Sequence, residues 1–263
     1  MPDEPDDLTA SSEWPEIVRR VRTHTPARLF AGRAGAAYRT HTQMELRKAH
    51  AAARDAVRAE LDLIGDFGAA FVDRWKLFEV STQASNKDEY LLRPDLGRRF
   101  SADARAELTG LGRVPRSADL QIAIGDGLSV RAVAKQVPSL LDLLVEGARE
   151  RGWKIGQPFV IRHCRVGILN EIGELLAPRV AVLLIGERPG LATSESLSAY
   201  LAYQPDKNHT DANRNLISNI HTDGVQTHDA ARRIISLAAT MMTTGSSGYQ
   251  LREELPSIGS SAH

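Results

Sequence analysis

The chain has 263 residues, with 33 Lys+Arg against 33 Asp+Glu, 42% hydrophobic and 5% aromatic residues. A chain of this length buries roughly 70–75% of its unfolded surface, so a core forms without disulfides or a structural metal. The single cysteine, Cys164, excludes a disulfide framework and any multi-cysteine metal site. Zero net charge argues against a general nucleic-acid binder, and the few aromatics do not make a stacking platform for single strands.

The longest apolar run, residues 180–185, is far short of the roughly 20 residues a bilayer requires. The opening Met-Pro-Asp-Glu-Pro-Asp-Asp lacks the basic and apolar regions of an export signal, so the sequence reads as cytoplasmic. Residues 1–12 are acidic and Pro-rich and read as a disordered tail. Ser12 is placed as an N-cap before a helix with Ile17, Val18 and Val21 as its apolar stripe, and residues 25–35 then read as irregular. Thr42-Gln43-Met44-Glu45 has the form of a capping box opening a second helix to about Asp62. Residues 76–82 read as a strand, 85–88 as a turn and 91–99 as a loop, because Pro94 restricts Arg93 to extended angles. Ser101 caps a short helix ending near Gly110. Residues 13–58 carry ten Arg/Lys against four acids, spread without interleaved aromatics, which fits a solvated face or a protein contact.

From Asp119 the pattern changes. A strand at 120–124 ends in Gly125-Asp126-Gly127-Leu128-Ser129. A helix from Val130 is expected to break at Pro138 and resume from Ser139 to Gly152. Strands follow at 159–162, 180–185 and 198–203, then a helix over 227–244 stopped by Gly245. Continuous apolar runs alternating with helices predict a doubly wound, mostly parallel α/β sheet at 116–250, after a mainly helical region at 13–115 and before a tail at 251–263.

Ligands of such sheets gather beyond the carboxyl ends of the strands, where three segments stand out. Gly125-x-Gly127 opens like a dinucleotide fingerprint, but Val130 replaces the third glycine and the next strand ends in Arg162-His163 rather than an acid. Two glycines there permit close backbone approach to a ligand, and Ser129 suits a phosphate or ribose oxygen, or the turn is simply tight. In Gly186-Glu187-Arg188-Pro189-Gly190, Pro and Gly would aim Glu187 and Arg188 outward, the bland alternative being an ion pair closing the sheet edge. The third, residues 217–224, reads as a loop with the outline Asp-x-His-x-x-Gly of a cobalt-ligating histidine, but Asn219 replaces the orienting aspartate. Ser194, Ser196 and Ser198 lie outside any Gly-x-Ser-x-Gly elbow, and His163 and Cys164 have no partner at metal-ligand spacing.

Thr25–Gly35 (TPARLFAGRAG), Leu91–Arg99 (LLRPDLGRR), GDGLS at 125–129, GERPG at 186–190 with SESLS at 194–198, and ISNIH at 217–221 occur in that order. Together they resemble the small (light) subunit of ethanolamine ammonia-lyase, an adenosylcobalamin-dependent enzyme. The resemblance implies a Rossmann-like subunit covering the lower face and nucleotide tail of the cobalamin. A TIM-barrel large subunit would carry substrate and radical chemistry, in a hetero-oligomer with equal numbers of both chains. It further implies base-on cofactor, with His221 a loop residue and no catalytic group on this chain. Carried over by motif, the cofactor-contacting positions are Val166, preceded by Arg165, then Glu187, and Leu216. The last is cysteine in many relatives, so an apolar or backbone contact is expected here. Arg188 and the 126–129 turn are added from strand-end geometry. The reaction implied is ethanolamine to acetaldehyde plus ammonia, in the cytosol or a bacterial microcompartment. The other classes considered are a stand-alone dinucleotide-binding oxidoreductase, resting on Gly125-x-Gly127, and a non-enzymatic scaffold subunit with an empty cleft.

Overall fold

The computed structural model describes residues 16–23, 33–110, 114–190, 193–251 and 253. The acidic tail, the Ser12 cap, most of the 25–35 stretch and nearly all of the C-terminal tail lie outside them. The N-terminal elements are α1 (Glu16–Thr23), a two-residue hairpin of β1 (Arg33–Ala34) and β2 (Ala37–Tyr38), α2 (Thr40–Arg58), α3 (Leu63–Phe67) and α4 (Ala69–Trp75). The expected capping box does not form. Helix α2 starts at Thr40 after Arg39, which makes no side-chain cap bond, so Thr42 lies inside the first turn. Nor does α2 reach Asp62, whose carboxylate instead caps α3 by accepting from the N–H groups of Ile64 and Gly65 at 3.2 and 3.1 Å.

Next come β3 (Glu79–Ser81), α5 (Lys87–Leu92), a 3₁₀ turn at Leu96–Arg98, and α6 (Ala102–Thr109) with Ser101 as its cap, as expected. Helix α5 occupies residues read as turn and loop. It nucleates because the Asn86 side chain accepts from Glu89 N–H at 2.9 Å. The remaining elements are β4 (Leu120–Gly125), α7 (Val130–Glu150), β5 (Phe159–Arg162), α8 (Ile168–Leu176), β6 (Val180–Gly186), β7 (Leu197–Tyr203), β8 (Asn215–Ile220) and α9 (Thr227–Thr244). Helix α7 runs unbroken through Pro138. The lost N–H costs one backbone bond, while buried Val133 and Val137 before it and Leu140, Leu141 and Leu144 after it hold both halves on the sheet. Residues 217–220, expected as a loop, form the end of β8, which pairs with β7.

The six-stranded sheet has the order β3-β5-β4-β6-β7-β8. Its first four strands are parallel, and β7 and β8 are added antiparallel. The edge strand β3 comes from before residue 116 and joins the sheet beside β5. Side chains alternate between two cores. Leu120, Ile122 and Ile124 of β4 pack with α7 and α9 on one face, and Ala123, Phe159, Ile161, Leu183 and Ile185 pack with α6 and α8 on the other. The expectation, from alternating apolar runs and helices, of an α/β, mostly parallel sheet with a helical N-terminal region therefore describes the chain.

Because α7 leaves β4 over one face and α8 leaves β5 over the other, the loops after these adjacent strands part. Asp126 fills the fork. Its carboxylate is fully buried and accepts from His163 N–H at 2.9 Å and Cys164 N–H at 2.8 Å. The buried Lys87 ammonium, brought in by α5, lies 3.5 Å away and also donates to Gly127 C=O at 3.3 Å. Asp126→Ala would strand two buried N–H groups and a buried cation, and should lower stability by about 3–5 kcal/mol. Asp126→Asn, which keeps one carbonyl acceptor, should lose less; urea unfolding midpoints of the two variants check the order.

Candidate functional site

Beyond the carboxyl ends of β4, β5 and β6 lies a cavity of about 270 Å³. Arg165, Val166, Glu187, Arg188 and Leu216 all line it, alongside Leu128, Ile185 and Tyr200. Val166 follows β5, Glu187 and Arg188 follow β6, and Leu216 projects from β8 opposite Tyr200 of β7. Its walls are thus apolar on several sides, with an acid and two guanidinium groups at the edges.

Glu187 is half-buried and held by three donors. Ser196 Oγ donates to Oε2 at 2.7 Å, while Ser198 Oγ and Asn219 N–H donate to Oε1 at 2.5 and 3.1 Å. A carboxylate accepts about four hydrogen bonds, so one acceptor position on Oε2 is left for a ligand. Ser196 and Ser198 are thus supports for Glu187. Their spacing of two, at the start of a strand, was the available sequence signal. The bland alternative of a Glu187–Arg188 ion pair is not what the turn builds: Arg188 is exposed and makes no ion pair among the described residues.

Arg165 is fixed through its neighbours. Its guanidinium lies 4.1 Å from the Tyr90 ring centre and donates to Tyr90 C=O at 3.2 Å, while its buried Nε has no partner among the described residues. Tyr90 is itself wholly buried, stacks on His163 at 5.8 Å and donates its hydroxyl to Cys164 C=O at 3.0 Å. Burial pushes the Tyr90 phenol above its ordinary pKa, with the Asp126 charge adding and Arg165 opposing. Tyr90 therefore stays neutral as a platform for Arg165, a role the sequence does not reveal without helix α5, which brings the ring there.

The turn after β4 does something other than expected. Ser129 is fully buried, caps α7 by accepting from Ala132 N–H at 3.2 Å, and donates to Ser194 C=O. Gly127 has φ +59°, and a Cβ there would meet Gly186 C=O at 2.3 Å; one on Gly186 would meet Ser129 C=O at 2.0 Å. The glycines allow two backbones to interlock, with Leu128 N–H donating to Gly186 C=O at 3.1 Å. Gly125-x-Gly127 is spent on packing, which leaves the dinucleotide alternative without its motif.

His221 is buried in the turn after β8. Asp223 N–H donates to its Nδ1 at 3.2 Å, which assigns the proton to Nε2, bonded to Asn219 Oδ1 at 2.8 Å. Both ring nitrogens are engaged within the turn. His163 gains partners the sequence spacing did not reveal: its Nε2 lies 3.2 Å from both Glu60 oxygens and its Nδ1 donates to Ala84 C=O at 3.1 Å. With Asp126 these form a cluster whose ligand atoms lie within 4.8 Å of one another. Asp126 already accepts backbone N–H groups, so the cluster works as part of the lock between loops.

Cys164 is wholly buried beside Gly125, and burial holds its thiol well above the ordinary value, with Asp126 adding and Arg165 opposing. A raised thiol pKa means little thiolate at pH 8. Iodoacetamide should therefore leave Cys164 intact in the native chain and modify it in urea, as peptide mass would report.

The family model for ethanolamine ammonia-lyase light chain (EutC) matches residues 15–252. Among similar proteins, the ethanolamine ammonia-lyase small subunit of Clostridium acetobutylicum is 37% identical over 237 residues, covering 90% of this chain and 95% of that protein. The small subunit of Xanthomonas campestris pv. campestris is 40% identical over 237 residues, covering 89% of this chain and 87% of its own. A Clostridium perfringens small subunit is 38% identical, covering 90% of this chain and 78% of that protein. With the match running from α1 past the end of α9, the chain belongs to the ethanolamine ammonia-lyase light-chain family.

Proposed function

We propose that this chain is the small subunit of an adenosylcobalamin-dependent ethanolamine ammonia-lyase and forms one wall of the cobalamin cleft, the large subunit forming the other. The observation that carries the reading is the convergence of Arg165, Val166, Glu187, Arg188 and Leu216 on one cavity at the carboxyl ends of the strands. The donor and acceptor set fits a corrin rim, which is apolar and edged by amides. Val166, Leu128 and Leu216 offer apolar surface, the free acceptor position of Glu187 suits an amide N–H, and Arg165 and Arg188 suit amide carbonyls or a phosphate. At about 270 Å³ the cavity is below the usual range for a small-ligand pocket, so it admits the edge of a large ring and leaves the rest to a second chain.

When bound, adenosylcobalamin supplies the homolysis that starts the radical 1,2-amino shift and elimination taking ethanolamine to acetaldehyde and ammonia. This chain's residues bind and orient. Ser196 and Ser198 hold Glu187, Tyr90 holds Arg165, and the interlocked glycine turns set the floor. No acid, base or nucleophile is assigned here to catalysis. The assembly is read as containing equal numbers of both subunits, with base-on cofactor, free in the cytoplasm or inside a bacterial microcompartment. No helix among the described residues is long and apolar enough to cross a membrane.

Acetaldehyde production by the large subunit with adenosylcobalamin should require this chain; activity independent of it overturns the subunit reading. In the assembled complex, Glu187→Ala should weaken adenosylcobalamin binding by about 1–3 kcal/mol if its carboxylate accepts a buried amide bond. Spectral titration with the cofactor reads this, and an unchanged affinity removes Glu187 from the site.

A further inference from the structure

The segment after β5 carries Arg165 and Val166 into the cleft, and it starts in a backbone conformation that L-residues rarely adopt. His163 has φ +58°, in the left-handed region, so its contacts must hold it there. The backbone is gripped twice: Asp126 accepts from its N–H, and Thr82 Oγ1 donates to its C=O at 3.0 Å. The third grip is the buried imidazole. It reaches Ala84, in the loop after β3, and Glu60, in the segment after α2.

The ring's partners set its proton count. A carbonyl only accepts, so Nδ1 carries a proton for Ala84 C=O. Both Glu60 oxygens lie 3.2 Å from Nε2, and an ionised carboxylate also only accepts. The contact is therefore that of an imidazolium with a proton on each nitrogen. Local charge agrees. Three carboxylates meet here: Glu60, Glu79 of β3, and Asp126 after β4. Arg162 binds Glu79 through two nitrogens at 2.8 Å and reaches Glu60 at 3.3 Å, while Lys87 of α5 stands beside Asp126. A charged His163 is the third cation, and a neutral one leaves the group a positive charge short. Of the other titratable groups packed here, burial keeps Tyr90 and Cys164 neutral, and Arg165 lies over Tyr90 and lines the cleft. Glu60 is the exposed member, so the contact can exchange its proton with solvent.

We propose that Glu60 is a positioning residue for the cleft: it clasps protonated His163, holds the segment that aims Arg165 and Val166, and lets go as pH rises. Loss of the Nε2 proton turns a lone pair toward a carboxylate, and attraction becomes repulsion. The clasp is closed while both nitrogens are protonated and opens on the alkaline side, histidine being the side chain that titrates nearest neutrality. Its consequence for the cleft rests on the cobalamin reading; the clasp itself does not.

The test compares the unaltered chain with Glu60→Gln from about pH 6 to about pH 9. The glutamine amide can accept from a protonated Nε2 or donate to a neutral one, so this variant keeps a clasp that is indifferent to pH. Relative to Glu60→Gln, the melting temperature of the unaltered full chain should fall by roughly 2–4 °C across that range. In a His163→Asn background, where asparagine tolerates the left-handed backbone, Glu60→Gln should leave the pH profile unchanged. Assembled with the large subunit, the unaltered chain should lose about threefold in adenosylcobalamin affinity over the same range relative to Glu60→Gln, read by spectral titration. Parallel melting profiles of the unaltered and Glu60→Gln chains overturn the clasp. Diverging melting profiles with parallel cofactor affinities overturn the positioning role of Glu60. A complex that binds no cofactor with either chain ends the cobalamin reading, while the melting profiles still decide the clasp.

Discussion

A single buried carboxylate sets the geometry on which the cleft depends. At the point where the loops after β4 and β5 diverge, an open α/β sheet ordinarily has a crevice, and here Asp126 closes its base by binding two successive N–H groups of the opposite loop. A charge taken wholly out of water needs compensation, and Lys87 supplies it with its own side chain nearly as deep. Helix α5 must therefore form and dock for the sheet end to be stable, and that helix also brings Tyr90 under Arg165. One ion pair thus couples the local order of residues 86–92 to the position of a cleft residue 75 residues further on.

Glycine does the complementary work. At Gly127 and Gly186 the backbones approach more closely than any Cβ allows, so the turn after β4 lies against the end of β6. The proposed ligand surface lies to the side of that turn, toward Val166, Glu187 and the antiparallel strands. Sheet addition at β7 and β8 then shapes the proposed site, because it places Ser198, Tyr200 and Leu216 along the same wall.

Much of this was legible in the sequence where hydrophobic period and backbone chemistry agreed. The buried strands at 120–124, 159–162 and 180–185 and the helix at Thr227–Thr244 were of that kind. Failures came where a long-range contact outweighed a local rule. Pro138 did not break α7 because buried leucines on both sides hold the helix to the sheet. Strand β8 read as a loop because its outward face is polar, and its extended conformation depends on pairing with β7. The short ordered motifs located the candidate site, but the reason for each lay elsewhere. The serines of SESLS orient Glu187, the glycines of GDGLS seat a turn, and LLRPDLGRR completes the helix carrying Tyr90 and the arginine beside Gly167.

The distribution of used and unused polar groups separates scaffold from binding surface. Asp126, Ser129 and His221 have their hydrogen bonds met within the chain, and all three are buried beneath the strand ends. Among the described residues, the groups with capacity to spare line the cleft and a larger basin beside it: one acceptor position on Glu187, the buried Nε of Arg165 and of Arg214, and the cations Arg188, Arg98 and Lys207, which make no ion pair. Rotamers held by such a saturated layer lose little entropy when a ligand arrives, so more of each contact's free energy remains as affinity. A surface that is rigid below, apolar at its centre and edged by groups with bonding capacity to spare fits the proposed role of recognising part of a large ligand, the rest of which a second chain would enclose.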